Sequence, residues 1–322
     1  MKNNYDKYKN SLYGFIVADA LGVPVEFNPR EVLKKNPLTE MVGYGAHLVP
    51  AGTWSDDTSM TLAAMDSISE IGGIDYNDIM NKFVNWVNKS DYTGTGKFFD
   101  IGISTRKAIA NYNNGLDPLD CGGRSIYDNG NGSLMRILPF VIYSIEKKLS
   151  EEDEVRLIND ASSITHAHEI SRLGCKIYCD FIKCIFEGKN IDEAFDYIRD
   201  TDYHEYYSNE SIEKYKRVLD GSIRNLAEDD ILSNGYVVST LEASLWSLCN
   251  SNSYESAVLK AINLGSDTDT VGAITGSLAG AYYGNVPEKW TIKILNMELV
   301  NQLFDKFVTF LDNKDDLERK SL

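Results

Sequence analysis

The sequence Gly265-Ser266-Asp267-Thr268-Asp269-Thr270 carries two carboxylates with one residue between them, and hydroxyl side chains beside them. A run of helical composition precedes it, and small apolar residues at 271–280 follow. One Asp at a helix start binds free backbone N–H groups and complements the helix dipole. A second acid beside it is costly unless a cation, a proton or solvent offsets the charge. Because the small residues let a neighbouring helix approach closely, we expect this pair near the core, with a hard, oxygen-preferring cation as compensation.

A second stretch of the same kind lies near the N-terminus, at 52–60. It contains Ser55, Asp56, Asp57 and Thr58, and it opens a run whose apolar residues follow roughly helical spacing. Taken alone, either stretch is explained equally well by a helix cap with a spare acid. If the two helix starts face each other, they form an all-oxygen cage for Mg²⁺ or Mn²⁺, with room for two ions about 3.5–4 Å apart.

The charge balance and the distribution of apolar residues argue against two classes of protein, nucleic-acid-binding proteins and membrane proteins. Lys and Arg total 32 against 48 Asp and Glu, a net charge of −16, which argues against a nucleic-acid-binding surface. No stretch reaches the roughly 18 apolar residues that span a bilayer. The chain begins Met-Lys-Asn-Asn-Tyr, without an apolar signal core. We therefore predict a cytoplasmic protein with no membrane or nucleic-acid partner.

Apolar residues recur at helical spacing along nearly the whole chain, and little of it resembles strand. We predict helices at 10–20, 56–70, 76–89, 100–112, 134–144, 151–164, 168–187, 191–200, 209–226, 239–250, 253–264, 270–283 and 292–312. Residues 28–54 and most of 116–136 are predicted loops. The pattern favours an all-α single domain over 1–322, with a charged, frayed tail at 311–322.

Two loop features leave alternatives open. Glu26 stands between apolar Val25 and Phe27, so it is either a buried acid that needs a partner or a solvated loop residue. The Gly- and Asn-rich turn at 128–136 runs into a helix, where backbone N–H groups can bind an anion. A plain glycine-rich turn explains the same residues.

Seven short segments, in order, resemble the ADP-ribosylglycohydrolase family, the group that includes dinitrogenase-reductase-activating glycohydrolase. They are 18–26 (ADALGVPVE), 55–58 (SDDT), 99–102 (FDIG), 130–136 (GNGSLMR), 165–168 (THAH), 235–238 (GYVV) and 266–270 (SDTDT). The resemblance implies a single orthogonal, all-α domain with a binuclear Mg²⁺ site, sometimes Mn²⁺. It also implies hydrolysis of the bond between ADP-ribose and an acceptor, commonly arginine or serine. The expected partner is an ADP-ribosylated protein or a small ADP-ribose conjugate, and the expected state is a monomer.

Carried over by position, the resemblance assigns roles to individual residues. The implied metal ligands are Ser55, Asp56, Asp57, Asp267, Asp269 and Thr270. Glu26 and Asp100 match acids for proton transfer at the acceptor bond or at the attacking water. The implied substrate-binding residues are Gly102, Gly130, Asn131, Gly132, Ser133, His166 and Tyr236. His166 is also open to a role as a metal ligand or a core residue. Ser55 replaces the commoner Thr, which keeps an oxygen ligand.

Two other functions fit parts of the pattern. Residues 267–270 match the D-x-D-x-T pattern of haloacid-dehalogenase-type phosphohydrolases, which requires a buried strand immediately before it. Residues 259–265 instead have the pattern of a helix end. A non-catalytic ADP-ribose-binding module would keep the pocket and lack turnover, but the complete set of acids and hydroxyls argues against it.

Overall fold

In the computed structural model, which describes residues 4–312, sixteen α-helices follow one another. They are α1 Tyr5–Gly22, α2 Arg30–Lys35, α3 Asp56–Ile71, α4 Tyr76–Lys89, α5 Ile103–Asn113, α6 Leu138–Glu146, α7 Glu151–Ser163, α8 Glu169–Phe186, α9 Ile191–Asp200, α10 Asn209–Lys214, α11 Lys216–Leu219, α12 Val237–Cys249, α13 Tyr254–Ile262, α14 Thr268–Tyr283, α15 Glu288–Thr291 and α16 Met297–Asp312. Single 3-10 turns occur at Val23–Val25, Pro118–Asp120, Leu134–Arg136, Tyr203–Glu205, Ser222–Asn225 and Glu228–Asp230.

The prediction of a single all-α domain is confirmed. Within residues 4–312, strand-like pairing is limited to isolated bridges, which join Tyr44 to Val49, Gly123 to His166 and Gly130 to Tyr236. In the same range, no helix combines the length and the apolar character that crossing a membrane requires. The tail predicted to fray falls largely at 313–322, outside the described residues.

Several helix boundaries differ from the predicted ones, and the backbone explains why. Helix α5 begins at Ile103 and not at 100, because Asp100 has a left-handed φ of 55°. The predicted helix at 209–226 breaks into pieces, the last beginning after Gly221 with φ 73°. Helix α2 lies inside a predicted loop; its one buried residue is Leu33, so it shows no apolar repeat.

Helices α1 and α14 form the centre of the core and run antiparallel. A Cβ added to Gly276 would lie 2.3 Å from the Gly14 carbonyl oxygen, and one on Gly280 would lie 2.1 Å from the Asn10 oxygen. At the other end, a Cβ on Gly22 would lie 2.4 Å from the Asp269 Cα. Only glycine permits backbones this close. The small residues that follow the 265–270 stretch therefore allow the close helix approach that was predicted, and the neighbour is α1, whose end lies against the start of α14.

Candidate active site

The two acidic stretches meet at the starts of α3 and α14. The Thr270 hydroxyl donates a hydrogen bond to Asp57 Oδ1 at 3.3 Å, although the two residues are 213 positions apart. Ser55 caps α3, and its side-chain oxygen accepts a hydrogen bond from the Asp57 backbone N–H at 3.2 Å. Asp56, Asp57 and Asp269 are buried. The fold thus gathers carboxylates from distant parts of the chain at one place.

The carboxylate of Asp267 is not used to cap its helix. Asp267 occupies the N-cap position of α14, but its side chain accepts no capping hydrogen bond from the described backbone. Its Oδ2 instead accepts a hydrogen bond from the Asn131 side-chain amide at 2.8 Å. One carboxylate oxygen from each of Glu26, Asp267 and Asp269 lies within 4.8 Å of the other two. The pair therefore differs from an ordinary helix cap with a spare acid.

An open cleft of about 270 Å³ passes over these carboxylates. Twelve of the predicted site residues line it: Glu26, Asp56, Asp57, Asp100, Gly102, Gly130, Asn131, Gly132, His166, Asp267, Asp269 and Thr270. Ile103, Ser104, Thr105, Met135 and Gly235 complete the lining. Glu26 is buried, which answers the question that the sequence left open about this residue.

Three predicted site residues lie outside the cleft lining. Ser55 is the cap residue directly before Asp56. The Ser133 hydroxyl accepts a hydrogen bond from Ser162 at 2.8 Å and lies 3.5 Å from the sulfur of Cys175. Tyr236 immediately precedes α12 and pairs with Gly130 in an isolated bridge. Of the three, Ser133 is fully buried behind the cleft, whereas Ser55 and Tyr236 directly adjoin lining residues, Asp56 and Gly235.

His166 contributes a neutral imidazole to the cleft. Burial, together with the nearby Arg136 guanidinium, lowers the pKa of His166 to about 3. Its Nδ1 lies 2.9 Å from the hydroxyl of Thr165, and Arg136 donates to the same hydroxyl at 2.6 Å. A Cβ on Gly132 would lie 2.7 Å from the His166 ring. The turn at 130–133 therefore needs glycine in order to pass this ring.

Asp19 is a site residue that sequence reasoning did not single out. One of its carboxylate oxygens accepts hydrogen bonds from the backbone N–H and the hydroxyl of Thr58, at 3.2 and 2.5 Å. The other accepts from the Ser55 backbone N–H at 2.9 Å. Burial raises the pKa of Asp19 to about 6, although these hydrogen bonds oppose the shift. This carboxylate ties the end of α1 to the start of α3. The sequence signal that could have identified Asp19 is an acidic residue between two alanines in an apolar helix.

His47 is the second residue that was missed. It lies on the predicted loop before α3, and its Nε2 is hydrogen-bonded to a carboxylate oxygen of Glu26. The same nitrogen lies 4.0 Å from the Asp100 carboxylate. Nothing in the spacing of the loop sequence distinguishes this histidine from a solvated one.

His47 faces the carboxylates of Glu26 and Asp100, but among the described residues no Lys, Arg or His forms an ion pair with Asp56, Asp57 or Asp269. Burial, and then repulsion among these acids, raises the pKa values of Asp56, Asp57 and Asp269 well above their usual range. Among the described residues, Asp57 Oδ2 is buried with no hydrogen-bond partner. These oxygen donors fit a hard divalent cation, which prefers carboxylate and hydroxyl ligands.

A second buried acidic cluster shows the contrast. Glu154 and Asp180 also lie close together. Lys176 lies 3.2 Å from Glu154 and is hydrogen-bonded to Asp180, while Lys183 lies 2.6 Å from Glu154. Lysine side chains therefore balance this cluster, whereas no Lys or Arg lines the cleft in the part of the chain that the structure describes.

The structure also tests the phosphohydrolase alternative. Helix α13 ends at Ile262, and only a short turn separates it from α14. No strand among the described residues precedes the D-x-D-x-T pattern at 267–270. The structural requirement of the haloacid-dehalogenase-type site is therefore not met.

Comparisons with known proteins agree with this fold. The chain matches the ADP-ribosylglycohydrolase family over residues 1–316. ADP-ribosylarginine hydrolase Tri1 of Serratia proteamaculans is 31% identical over 319 residues, which are 96% of this chain and 81% of that protein. ADP-ribosyl-[dinitrogen reductase] glycohydrolase of Rhodospirillum rubrum is 27% identical, with 90% of each chain covered. A solved structure of an ADP-ribosylglycohydrolase-related protein complex aligns with a TM-score of 0.80 and 28% identity, covering 97% of this chain and 100% of that one. A match over nearly the whole length, with the same helical fold, makes this protein a member of the ADP-ribosylglycohydrolase family of hydrolytic enzymes.

Proposed function

We propose that this enzyme removes ADP-ribose from arginine side chains of modified proteins, using two divalent cations, Mg²⁺ by preference and Mn²⁺ as an alternative. The observation that carries the proposal is the meeting of uncompensated carboxylates from α3 and α14 at one open cleft. The names of the Serratia and Rhodospirillum relatives support an ADP-ribosyl substrate. The Serratia name favours arginine over serine as the acceptor.

Six oxygen-bearing side chains would hold the cations. They are Ser55, Asp56, Asp57, Asp267, Asp269 and Thr270. Hydroxyl and carboxylate oxygens are the donors that Mg²⁺ prefers. When bound, the cations would polarise ribose hydroxyls and lower the pKa of a water. Ser55 accepts one hydrogen bond, from the Asp57 backbone N–H, so a lone pair of its hydroxyl remains for a cation.

Glu26 and Asp100 would carry the proton transfers. Both carboxylates line the cleft, and His47 holds the Glu26 side chain by a hydrogen bond. One acid would protonate the departing acceptor nitrogen, and a carboxylate would take a proton from the attacking water. Cleavage develops positive charge on the ribose ring, and the surrounding carboxylates stabilise this charge.

The turn at 130–133 would receive the nucleotide half of the substrate. Gly130, Asn131 and Gly132 line the cleft, and the Asn131 amide donates to both Asp267 and Thr240. The Asn131 backbone N–H donates to the Gly235 carbonyl at 3.0 Å. With no Lys or Arg in the described lining, we assign the diphosphate to the other backbone N–H groups of this turn and to the cations.

The acceptor is tested with two peptides of matched sequence, one mono-ADP-ribosylated on arginine and the other on serine. We expect the purified enzyme with Mg²⁺ to release free ADP-ribose from the arginine peptide at least about tenfold faster, a difference of about 1.4 kcal/mol in barrier height. Quantifying ADP-ribose by liquid chromatography gives both rates. Release only from the serine peptide would overturn the arginine assignment. Tight binding of ADP-ribose without release from either peptide would indicate a binding module.

A further inference from the structure

Exposed apolar side chains lie beside the acidic end of the cleft. Phe27 directly follows Glu26 and is 69% exposed, while Ile103 lines the cleft and is 75% exposed. Leu48, next to His47, is 78% exposed. Apolar side chains that gather next to a polar pocket are typical of a binding surface. A role in the core does not explain them.

Three rings in this region form a continuous row. The ring of His47 lies 5.8 Å from that of Phe27 and 5.3 Å from that of Phe99, with interplanar angles of 51° and 53°. The same histidine contacts the Glu26 carboxylate and lies 4.0 Å from that of Asp100. The row, hereafter the aromatic rim, consists of Phe27, His47 and Phe99. It places aromatic surface directly beside both proposed acid–base residues.

The backbone holds the rim in a defined place. Phe27 has a left-handed φ of 64°, and its N–H donates to the Ser266 carbonyl at 2.7 Å, next to the acidic stretch. The loop that carries His47 is attached through the Ala46 N–H, which donates to the Pro24 carbonyl at 3.0 Å. Asp100, after Phe99, also has a positive φ of 55°. Such conformations cost free energy and persist where the surrounding structure holds them, often at binding sites.

We propose that the aromatic rim is the acceptor site, where the guanidinium of the ADP-ribosylated arginine stacks on Phe27 and Phe99. This inference rests on the proposed function and names the residues that select its acceptor. A guanidinium is a planar cation that stacks on aromatic faces and pairs with carboxylates, here Glu26 and Asp100. A serine acceptor offers neither the plane nor the charge. The chain's net charge of −16 also favours a basic protein as the partner, because opposite charges attract.

The test measures KM and kcat for the ADP-ribosylated arginine peptide with the full-length, Mg²⁺-loaded enzyme. For Phe27→Ala and Phe99→Ala, we expect KM to rise about five- to twenty-fold, the size expected for losing one cation–π contact. We expect kcat to stay within about twofold, because stacking acts equally on bound substrate and transition state. Phe27→Tyr keeps a ring and should retain the wild-type KM, whereas Phe27→Leu should resemble Phe27→Ala.

Two controls separate this result from damage to the fold. Tyr197→Ala removes a half-exposed aromatic ring on α9, away from the cleft, and should leave KM unchanged. Free ADP-ribose affinity, measured by calorimetry, should match the wild type in every rim variant. An unchanged KM in both alanine variants, or equal KM values for Phe27→Leu and Phe27→Tyr, would overturn the assignment of the aromatic rim as the acceptor site. Neither result would contradict the proposed hydrolysis of ADP-ribosylated arginine. A wild-type enzyme that releases nothing from the arginine peptide would overturn the proposed function itself.

Discussion

Replacing Asp57 or Asp269 with Asn is expected to slow ADP-ribose release at least about a thousandfold, because a catalytic cation contributes several kcal/mol to transition-state stabilisation. The same substitutions should raise the free energy of unfolding of the metal-free enzyme. Each removes a carboxylate that is buried among like charges. Steady-state rates with Mg²⁺ and urea unfolding in EDTA measure the two effects.

The combination distinguishes a cation site from a purely structural role. Replacing a carboxylate with a structural role would lower the stability of the enzyme. Replacing a cation ligand that lies in a repulsive cluster should raise the stability of the enzyme and lower its activity. Asp120→Asn, at an exposed position paired with Arg124, serves as the control and should change neither quantity. Wild-type turnover in both site variants would show that these carboxylates do not hold a catalytic cation.

Replacing Lys176 with Met is expected to lower the free energy of unfolding by about 3–5 kcal/mol, because it leaves a buried carboxylate without its partner. Lys176 is buried, and its amino group lies between Glu154 and Asp180. Burial alone would lower the pKa of Lys176, but the neighbouring Asp180 raises it overall, so the lysine is charged. Urea unfolding followed by circular dichroism gives the difference.

A double variant identifies the cause of that loss. Lys176→Met together with Asp180→Asn removes both charges, and the Asn oxygen can still accept the hydrogen bond that Tyr203 donates to Asp180 at 2.8 Å. We expect the double variant to recover a large part of the lost stability. Lys216→Met, at an exposed lysine, should change stability by less than about 0.5 kcal/mol. A double variant less stable than Lys176→Met would show that the unpaired buried carboxylate does not cause the loss of stability.

The centre of the fold and the carboxylate cluster could be predicted from local sequence. The acids at the starts of α3 and α14 lie next to sequence patterns typical of helices. The glycines of α14 predict a close contact with another helix. Both signals depend on neighbours along the chain. Local patterns did not predict helix boundaries that depend on a left-handed backbone conformation. Gly221 interrupts a predicted helix in this way, and Asp100 moves the start of α5 to a later residue.

The long-range contacts around the site could not be predicted, because each joins distant segments of the chain. His47 reaches Glu26 from a loop without apolar periodicity, and Asp19 reaches Thr58 from another helix. Ser133 belongs to a matching motif, yet its hydroxyl contacts Ser162 behind the cleft. A motif identifies a segment, but packing decides which side chains of that segment face the ligand.

The most direct test of the account removes the metal and restores it. The enzyme is stripped with EDTA, desalted and assayed on the ADP-ribosylated arginine peptide while Mg²⁺, and separately Mn²⁺, is added back in steps. The uncompensated carboxylates predict negligible release from the stripped enzyme and recovery that saturates with added cation. Full-rate release from enzyme shown to be metal-free by elemental analysis would contradict the metal-dependent mechanism.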